Sequence, residues 1–270
     1  MSAKRIVLCA DDFGLAPGVS CGILELLEQG RLSATSCMVN YPEFNADARS
    51  LRAFRGDADI GLHFSLTDHR PISRVALECH LRPPARSAMR DAVERQLEKF
   101  CEAMGMRPDY IDGHQHVHVL PVVREAVVDV AKRIGAYIRI PRDPIDRAMW
   151  RRPAPLESAY LSRASRALEK LARGAGIVTN HGFRGVRTFQ EKIPFGHLFR
   201  KMIAGAGEGC LVMCHPGHVD STLAGRDLVL EQRAEEWSYF SGPDFPADVA
   251  DADLVLSRLR ETNQDRYPAL

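Results

Sequence analysis

The sequence predicts an α/β fold arranged as a (β/α) barrel. Short continuous apolar runs alternate with amphipathic ones about seven times along the chain, the pattern of a parallel sheet covered by helices. A length of 270 residues suits one such barrel, so residues 1–270 are expected to form a single domain. Polar and ionisable residues recur where the apolar runs end, and in a barrel the carboxyl ends of all strands share one rim. An open doubly wound sheet is the competing arrangement, but no glycine-rich phosphate loop follows the first apolar run.

RIVLCA (5–10) reads as a buried strand, and PGVSCGILELLEQG (17–30) as a helix with Pro17 in its first turn and Gly30 as its stop. ATSCMVN (34–40) is a second strand, and the period-two alternation of ADIGLHFSL (58–66) marks a third. SAMRDAVERQLEKFCEAMG (87–105) has helical spacing, with Ser87 as a cap candidate and Gly105 at its end. PDYIDG (108–113) is a strand, PVVREAVVDVAKRIG (121–135) a helix opened by Pro121 and closed by Gly135, and AYIRIP (136–141) the next strand. GIVTN (176–180) and CLVMCH (210–215) supply two more. The Arg- and Pro-rich stretch RDPIDRAMWRRPAPLE (142–157) fits neither period and is expected to be an insertion over one face.

A net charge of +1 gives no electrostatic reason to expect a polyanionic partner, so nucleic acid is not implied. The opening MSAKRIVLCADDFG has too short an apolar run for a secretory signal, and no run approaches the roughly 18 apolar residues of a membrane span. A cytoplasmic protein without an integral membrane segment is expected, and homodimerisation is left open. Seven cysteines without any C-x-x-C spacing argue against a disulfide framework and a Cys-zinc site, and read as buried hydrophobes.

Four groups of polar residues fall at strand ends. Asp11 and Asp12 follow the first strand, His63 closes the third, His114, His116 and His118 follow the fourth, and His215 closes the last. Each has an ordinary explanation. The aspartates suit a helix cap, His63 a hydrogen-bonded core position, and His215 and His218 a turn around Pro216 and Gly217. HQHVH places alternate histidines on one face if extended, or His114 and His118 on one face if helical, so either reading suits a metal. Four such features at four strand ends point together to a metal-assisted hydrolytic site with imidazole and carboxylate ligands.

ADDFGL (10–15), GLHFSLT (61–67), DGHQHVH (112–118) and MCHPGHVD (213–220) together resemble the YdjC-like carbohydrate deacetylases, a group containing chitooligosaccharide and hopanoid-biosynthesis deacetylases. The resemblance implies a seven-stranded barrel related to the polysaccharide deacetylases, one divalent cation, and removal of an acetyl group from an N-acetylated oligosaccharide or glycolipid. Carried over by motif, it implies Asp12, His63 and His114 as metal ligands, Asp11 as general base and His215 as general acid. His116 and His118 would lie beside the metal, and His218 is a candidate either for supporting the ligands or for touching the substrate. The ligand set suits zinc, iron or cobalt by softness, while the family is also associated with magnesium.

Amide hydrolysis needs an activated water, stabilisation of the tetrahedral oxyanion and an acid for the departing amine, and these residue types supply all three. Arg139, a charge flanked by apolar residues in a predicted strand, is read as orienting Asp11 or, equally, as pairing with a structural carboxylate. Two further functions use similar groups. A metal-dependent phosphoesterase or other amidohydrolase would grip phosphate with the Arg139–Arg152 stretch. A non-catalytic sugar- or metal-binding module would need no base, and the spare carboxylate of Asp11 argues against it. The insertion, with Trp150, suits either recognition of a large or lipid-linked substrate or a subunit contact.

Overall fold

The computed structural model describes residues 3–262 of the chain. Its strands are β1 (Lys4–Phe13), β2 (Ala34–Cys37), β3 (Asp59–Phe64), β4 (Tyr110–Gly113), β5 (Tyr137–Ile138), β6 (Phe183–Arg184), β7 (Cys210–Cys214) and β8 (Leu254–Leu256). Every pairing is parallel, in the order β5-β4-β3-β2-β1-β7-β6, and β8 joins the first residues of β1 from outside that path. Parallel neighbours need crossovers, and helices such as Pro17–Glu28, Arg86–Met104 and Val123–Ile134 provide them. The seven-stranded (β/α) barrel is therefore observed, with an incompletely laddered seam. At that seam Ile138 bridges Thr179, while the Asn180 side chain accepts from the Ile140 amide at 2.7 Å and donates to its carbonyl at 3.0 Å.

Alternate residues of the strands sort into two cores. Ile6, Leu8 and Ala10 join the larger one beneath the helices, whereas Val7 and Cys9 join a smaller one with Ala34, Tyr110, Tyr137, Phe183, Leu211 and Met213 from five other strands. The smaller cluster is the barrel interior. Period two carries each inner series onward to a polar residue: Val7 and Cys9 to Asp11, Tyr110 to Asp112, Tyr137 to Arg139, Gly61 to His63. The Tyr110 and Tyr137 rings stack at 4.8 Å across the interior. Gly61 makes room for them.

Several expectations need correction. The segment 176–180 forms the seam bridge but no strand, because positive φ angles at Gly176 (73°) and Gly182 (109°) break its extended run, and β6 follows it instead. β1 runs on through both aspartates rather than stopping before them. Ser87 lies inside the helix Arg86–Met104, whose cap position is Ala85, so it does not cap. Cys21 is exposed on the outer side of the helix Pro17–Glu28, unlike the buried Cys9, Cys37, Cys79, Cys210 and Cys214. Within the irregular 142–157 region, a single 3-10 turn at Met149–Arg151 precedes the helix Pro155–Ala164, and Asp143 binds both Arg152 and Arg184. No helix among the described residues is long and apolar enough to cross a membrane.

A methyl group at Gly61 would stand 2.3 Å from the Tyr110 ring, whereas one at Gly56 would meet nothing within 4 Å. Gly61→Ala is therefore expected to lower stability by about 1–3 kcal/mol through overpacking, and Gly56→Ala to change it by less than about 0.5 kcal/mol. Urea denaturation of the two variants checks this, and equal midpoints would contradict the packing.

Candidate active site

Consecutive residues of a strand point to opposite faces, so Asp11 and Asp12 should not share a pocket. They do because β1 changes register between Ala10 and Phe13, and Asp12 adopts a left-handed φ of 72°. Such a conformation costs a non-glycine residue of order 1 kcal/mol, which the bonds to its carboxylate offset. Asp12 Oδ2 accepts from Arg233 Nη2 at 2.6 Å. Its Oδ1 faces His114 Nδ1 at 3.1 Å and His63 Nε2 at 3.4 Å.

HQHVH is neither extended nor a regular helix. It is a 3-10 segment, His114–Val119, broken by left-handed Gln115 (φ 49°) and His116 (φ 59°). The break turns His114 to Asp12 and sends His118 back into the core, where its Nε2 meets the Arg139 carbonyl at 2.9 Å. His116 lies between, with its ring 5.6 Å from Phe183. Burial pushes the His118 imidazole down to about 4 and, with the Arg139 charge, holds His116 well below its ordinary value. Both rings are neutral.

Behind the carboxylates sits Arg139, completely buried. Its Nη1 and Nη2 donate to Asp11 Oδ1 and Oδ2 at 2.6 and 2.9 Å, and its Nε lies 3.0 Å from Asp112 Oδ2 as an ion pair. Asp112 in turn holds His63 Nδ1 at 2.6 Å and accepts from Ser36 Oγ at 2.6 Å. This bond fixes the ring so that His63 Nε2 faces Asp12. Burial opposes a charge on His63, but Asp112, Asp11 and Asp12 outweigh it and raise the imidazole to about 10. Burial likewise opposes ionisation of Asp12, and Arg233 with His114 and His63 overcomes it, keeping the carboxyl well below the usual range.

Asp11, Asp12, His63, His114 and Arg233 line a pocket of about 510 Å³ together with His116 and His215. His215 enters from the far side, its amide donating to Glu236 Oε2 at 2.6 Å and its ring 5.4 Å from Phe189. Burial lowers its pKa against the pull of Asp12, Asp11 and Glu236. The pocket continues into an apolar groove of about 290 Å³, sharing Ile72, Gln115, His116, Glu157 and Val186 with it and ending at Val119, Leu120 and Tyr160. A larger cleft of about 810 Å³ lies along the seam, where Glu169 is already paired with Arg142 and Arg173. His218 is outside the pocket altogether, 2.8 Å from Glu25.

Asp12, His63 and His114 each offer a donor atom, and the three atoms lie within 4.8 Å of one another. Two imidazoles and one carboxylate oxygen, with Arg233 occupying the other oxygen, fit a divalent cation held by three protein ligands. The Asp112 bond to the remote nitrogen of His63 is the support that such ligands usually carry. Sequence reading assigned no role to Asp112, Ser36, Arg233 or Glu236. An aspartate closing a buried strand was a usable signal for Asp112, whereas Arg233 lies in the charge-rich helix Glu231–Ser241, whose sequence does not mark it out.

The family described as YdjC-like protein matches residues 5–251. A carbohydrate deacetylase of Geobacillus stearothermophilus is 29% identical over 96% of this chain and 98% of its own length. A chitooligosaccharide deacetylase of Serratia marcescens is 26% identical over 96% of this chain and 99% of its own. A family 4 carbohydrate esterase from Streptomyces lividans, solved in complex with acetate, shares the fold with a TM-score of 0.51 and 13% identity, covering 95% of this chain and 93% of that one.

With its pKa raised to about 10, His63 carries a proton at neutral pH in the metal-free protein. Ligation through Nε2 requires that proton to leave, so metal affinity should rise with pH up to about 10, by at most about tenfold per unit from this group. Calorimetric titrations at pH 7 and 9, in buffers of different ionisation heat, should show proton release and tighter binding at the higher pH. Equal affinities without proton release would mean that His63 is not a ligand.

Proposed function

The chain belongs to the YdjC-like protein family, and from that premise we propose that Asp11, Asp12, His63, His114 and His215 carry out its reaction in this pocket. The protein is a carbohydrate deacetylase, a hydrolase that removes the acetyl group from N-acetylated sugars, as its relatives over nearly the whole chain are named. Asp12, His63 and His114 would hold one divalent cation, Asp11 acts as general base and His215 as general acid. The observation that carries this reading is the convergence of three metal-donor atoms within 4.8 Å, with a separate carboxylate and a separate imidazole on the same pocket. The imidazoles favour zinc over magnesium.

When bound, the cation polarises the acetyl carbonyl and makes water acidic enough to be deprotonated near neutral pH. The chain does the rest. Asp11 takes the proton, its carboxylate held in orientation by both terminal nitrogens of Arg139. His215, across the pocket, gives a proton to the departing amine. Its lowered pKa makes the protonated ring a stronger acid, at the expense of a smaller protonated fraction at neutral pH. Phe189 and Met213 form the apolar lining beside it. The groove toward Tyr160 gives room for an apolar portion of the substrate, which favours an N-acetylated glycolipid over a free sugar.

Phosphoester hydrolysis is less well supported, because Arg139, Arg142 and Arg152 are each engaged by a carboxylate and neither Arg147 nor Arg151 lines the pocket. A purely binding role would not need Asp11, which faces the pocket without belonging to the metal-donor group.

Metal-loaded protein incubated with N-acetylglucosamine oligosaccharides and N-acetylglucosaminyl lipids should release acetate and leave glycosidic bonds intact. Shortened sugar chains without acetate, or turnover of phosphate esters alone, would refute the assignment. Asp11→Asn should keep the metal and lower kcat by about two to four orders of magnitude, whereas Asp12→Asn should lose the metal. Elemental analysis beside kinetics separates the two, and equal metal loss would reject the division of labour.

A further inference from the structure

The second histidine of CHPGH plays no part in the pocket. After β7, His215 lines the pocket, the chain turns at Pro216 and Gly217, and His218 reaches the outer side of the helix Pro17–Glu28. There its Nε2 lies 2.8 Å from Glu25 Oε2, and Cys21 Sγ lies 3.4 Å from Glu25 Oε1. Cys21 and Glu25 are four residues apart and so share one helix face. One donor atom from each of Cys21, Glu25 and His218 lies within 4.8 Å of the other two. Cys21 is exposed, so the group is open to solvent.

We propose that Cys21, Glu25 and His218 form a second metal site, for a thiophilic divalent cation such as zinc, that ties the helix following Asp11 and Asp12 to the loop carrying His215. Thiolate, imidazole and carboxylate are a borderline-soft donor set, with water completing a tetrahedron. Ordinary zinc bond lengths put tetrahedral donors about 3.4 Å (N to O) and about 3.6 Å (S to O) apart. The observed spacings of 2.8 and 3.4 Å run to different oxygens of Glu25, Oε2 and Oε1, so side-chain torsions have to bring one oxygen to both of the other donors.

The scaffold beneath them is already rigid. His218 N donates to the Gly18 carbonyl at 2.9 Å, and Gly18 N donates to Asp220 Oδ2 at 2.5 Å. A Cβ on Gly18 would stand 2.3 Å from the His218 carbonyl oxygen and one on Gly22 3.0 Å from Gly217 Cα, so helix and loop meet backbone to backbone. The Trp237 ring covers the His218 imidazole at 4.4 Å. A helix with two donors and a loop with the third are thus held in register before any ion arrives, which removes much of the ordering cost of binding. The Cys21 thiol, kept protonated by partial burial and the Glu25 charge, gives up its proton to the ion.

Cobalt distinguishes this site from the pocket, because thiolate-bound cobalt(II) has a near-ultraviolet sulfur-to-metal charge-transfer band and the trio Asp12, His63 and His114 contains no sulfur. Full-length protein stripped of metal and titrated with cobalt(II) should bind two equivalents and develop that band, and added zinc should bleach it. Cys21→Ser, a change at an exposed position, should bind one equivalent and lack the band, while Asp12→Asn should also bind one equivalent but retain it. Zinc should slow amide exchange across residues 215–220 in the parent protein and not in Cys21→Ser. Absence of the band at saturation, its persistence in Cys21→Ser, or identical exchange in the two proteins would overturn the proposal. The charge-transfer band and the amide exchange do not depend on the chemistry assigned to the pocket, whereas the count of two equivalents rests on the pocket also holding a metal.

Discussion

A guanidinium buried in the centre of a barrel is the constraint around which the site is built. Arg139 has no exposure, and removing a lone charge from water that completely would cost several kcal/mol. Asp11 and Asp112 compensate it, one through two hydrogen bonds and the other through the Nε ion pair. Both carboxylates then work outward. Asp11 is presented to the pocket in one orientation, and Asp112 holds the ring of His63, whose other nitrogen faces Asp12. The placement of Asp11 and of His63 therefore traces to one ion-pair network, deepened by Ser36 and Tyr110, whose hydroxyls lie 2.8 Å apart below Asp112.

The depth of that network follows from strand periodicity. Inner-face residues are apolar or aromatic low in the barrel and become charged toward the carboxyl ends, so the interior is dry at the stacked tyrosines and polar at the mouth. Low dielectric below strengthens the ion pairs above. It also explains why His118, one turn deeper than His114, is held neutral on a carbonyl while His114 faces the pocket.

Opposite walls of the pocket come from neighbours in the sheet. β1 carries the two aspartates, and β7, paired with it from Ile6–Cys210 to Ala10–Cys214, delivers His215. The helix after β1 and the loop after β7 meet again on the outside through Gly18, Gly22 and Gly217, so Asp11 and His215 are referenced to one another on both sides of the strand pair. The third wall is different in origin. Helix Pro155–Ala164, which follows the irregular region, lends Glu157 to the pocket and Tyr160 to the groove.

Alternation of apolar and amphipathic runs determined the barrel and most of its strand positions, because a parallel strand buried on both faces must be apolar wherever it is not functional. The same rule exposed Asp11, Asp12, His63, the HQHVH histidines, Arg139 and His215, since each is a polar residue at the end of such a run. Tertiary structure decided which of them meet. The positive φ at Asp12 and the broken turn at Gln115 and His116 reverse the side-chain directions that a regular strand or helix would impose, so no periodic reading could separate His114 from His118 or bring two adjacent aspartates to one pocket. Arg233 and Glu236 became visible through packing alone, because they come from a helix 221 and 21 residues away from their partners Asp12 and His215. His218 shares a motif with His215 and yet faces the other way, because a Pro-Gly turn leaves its direction to whatever surface the following backbone packs against.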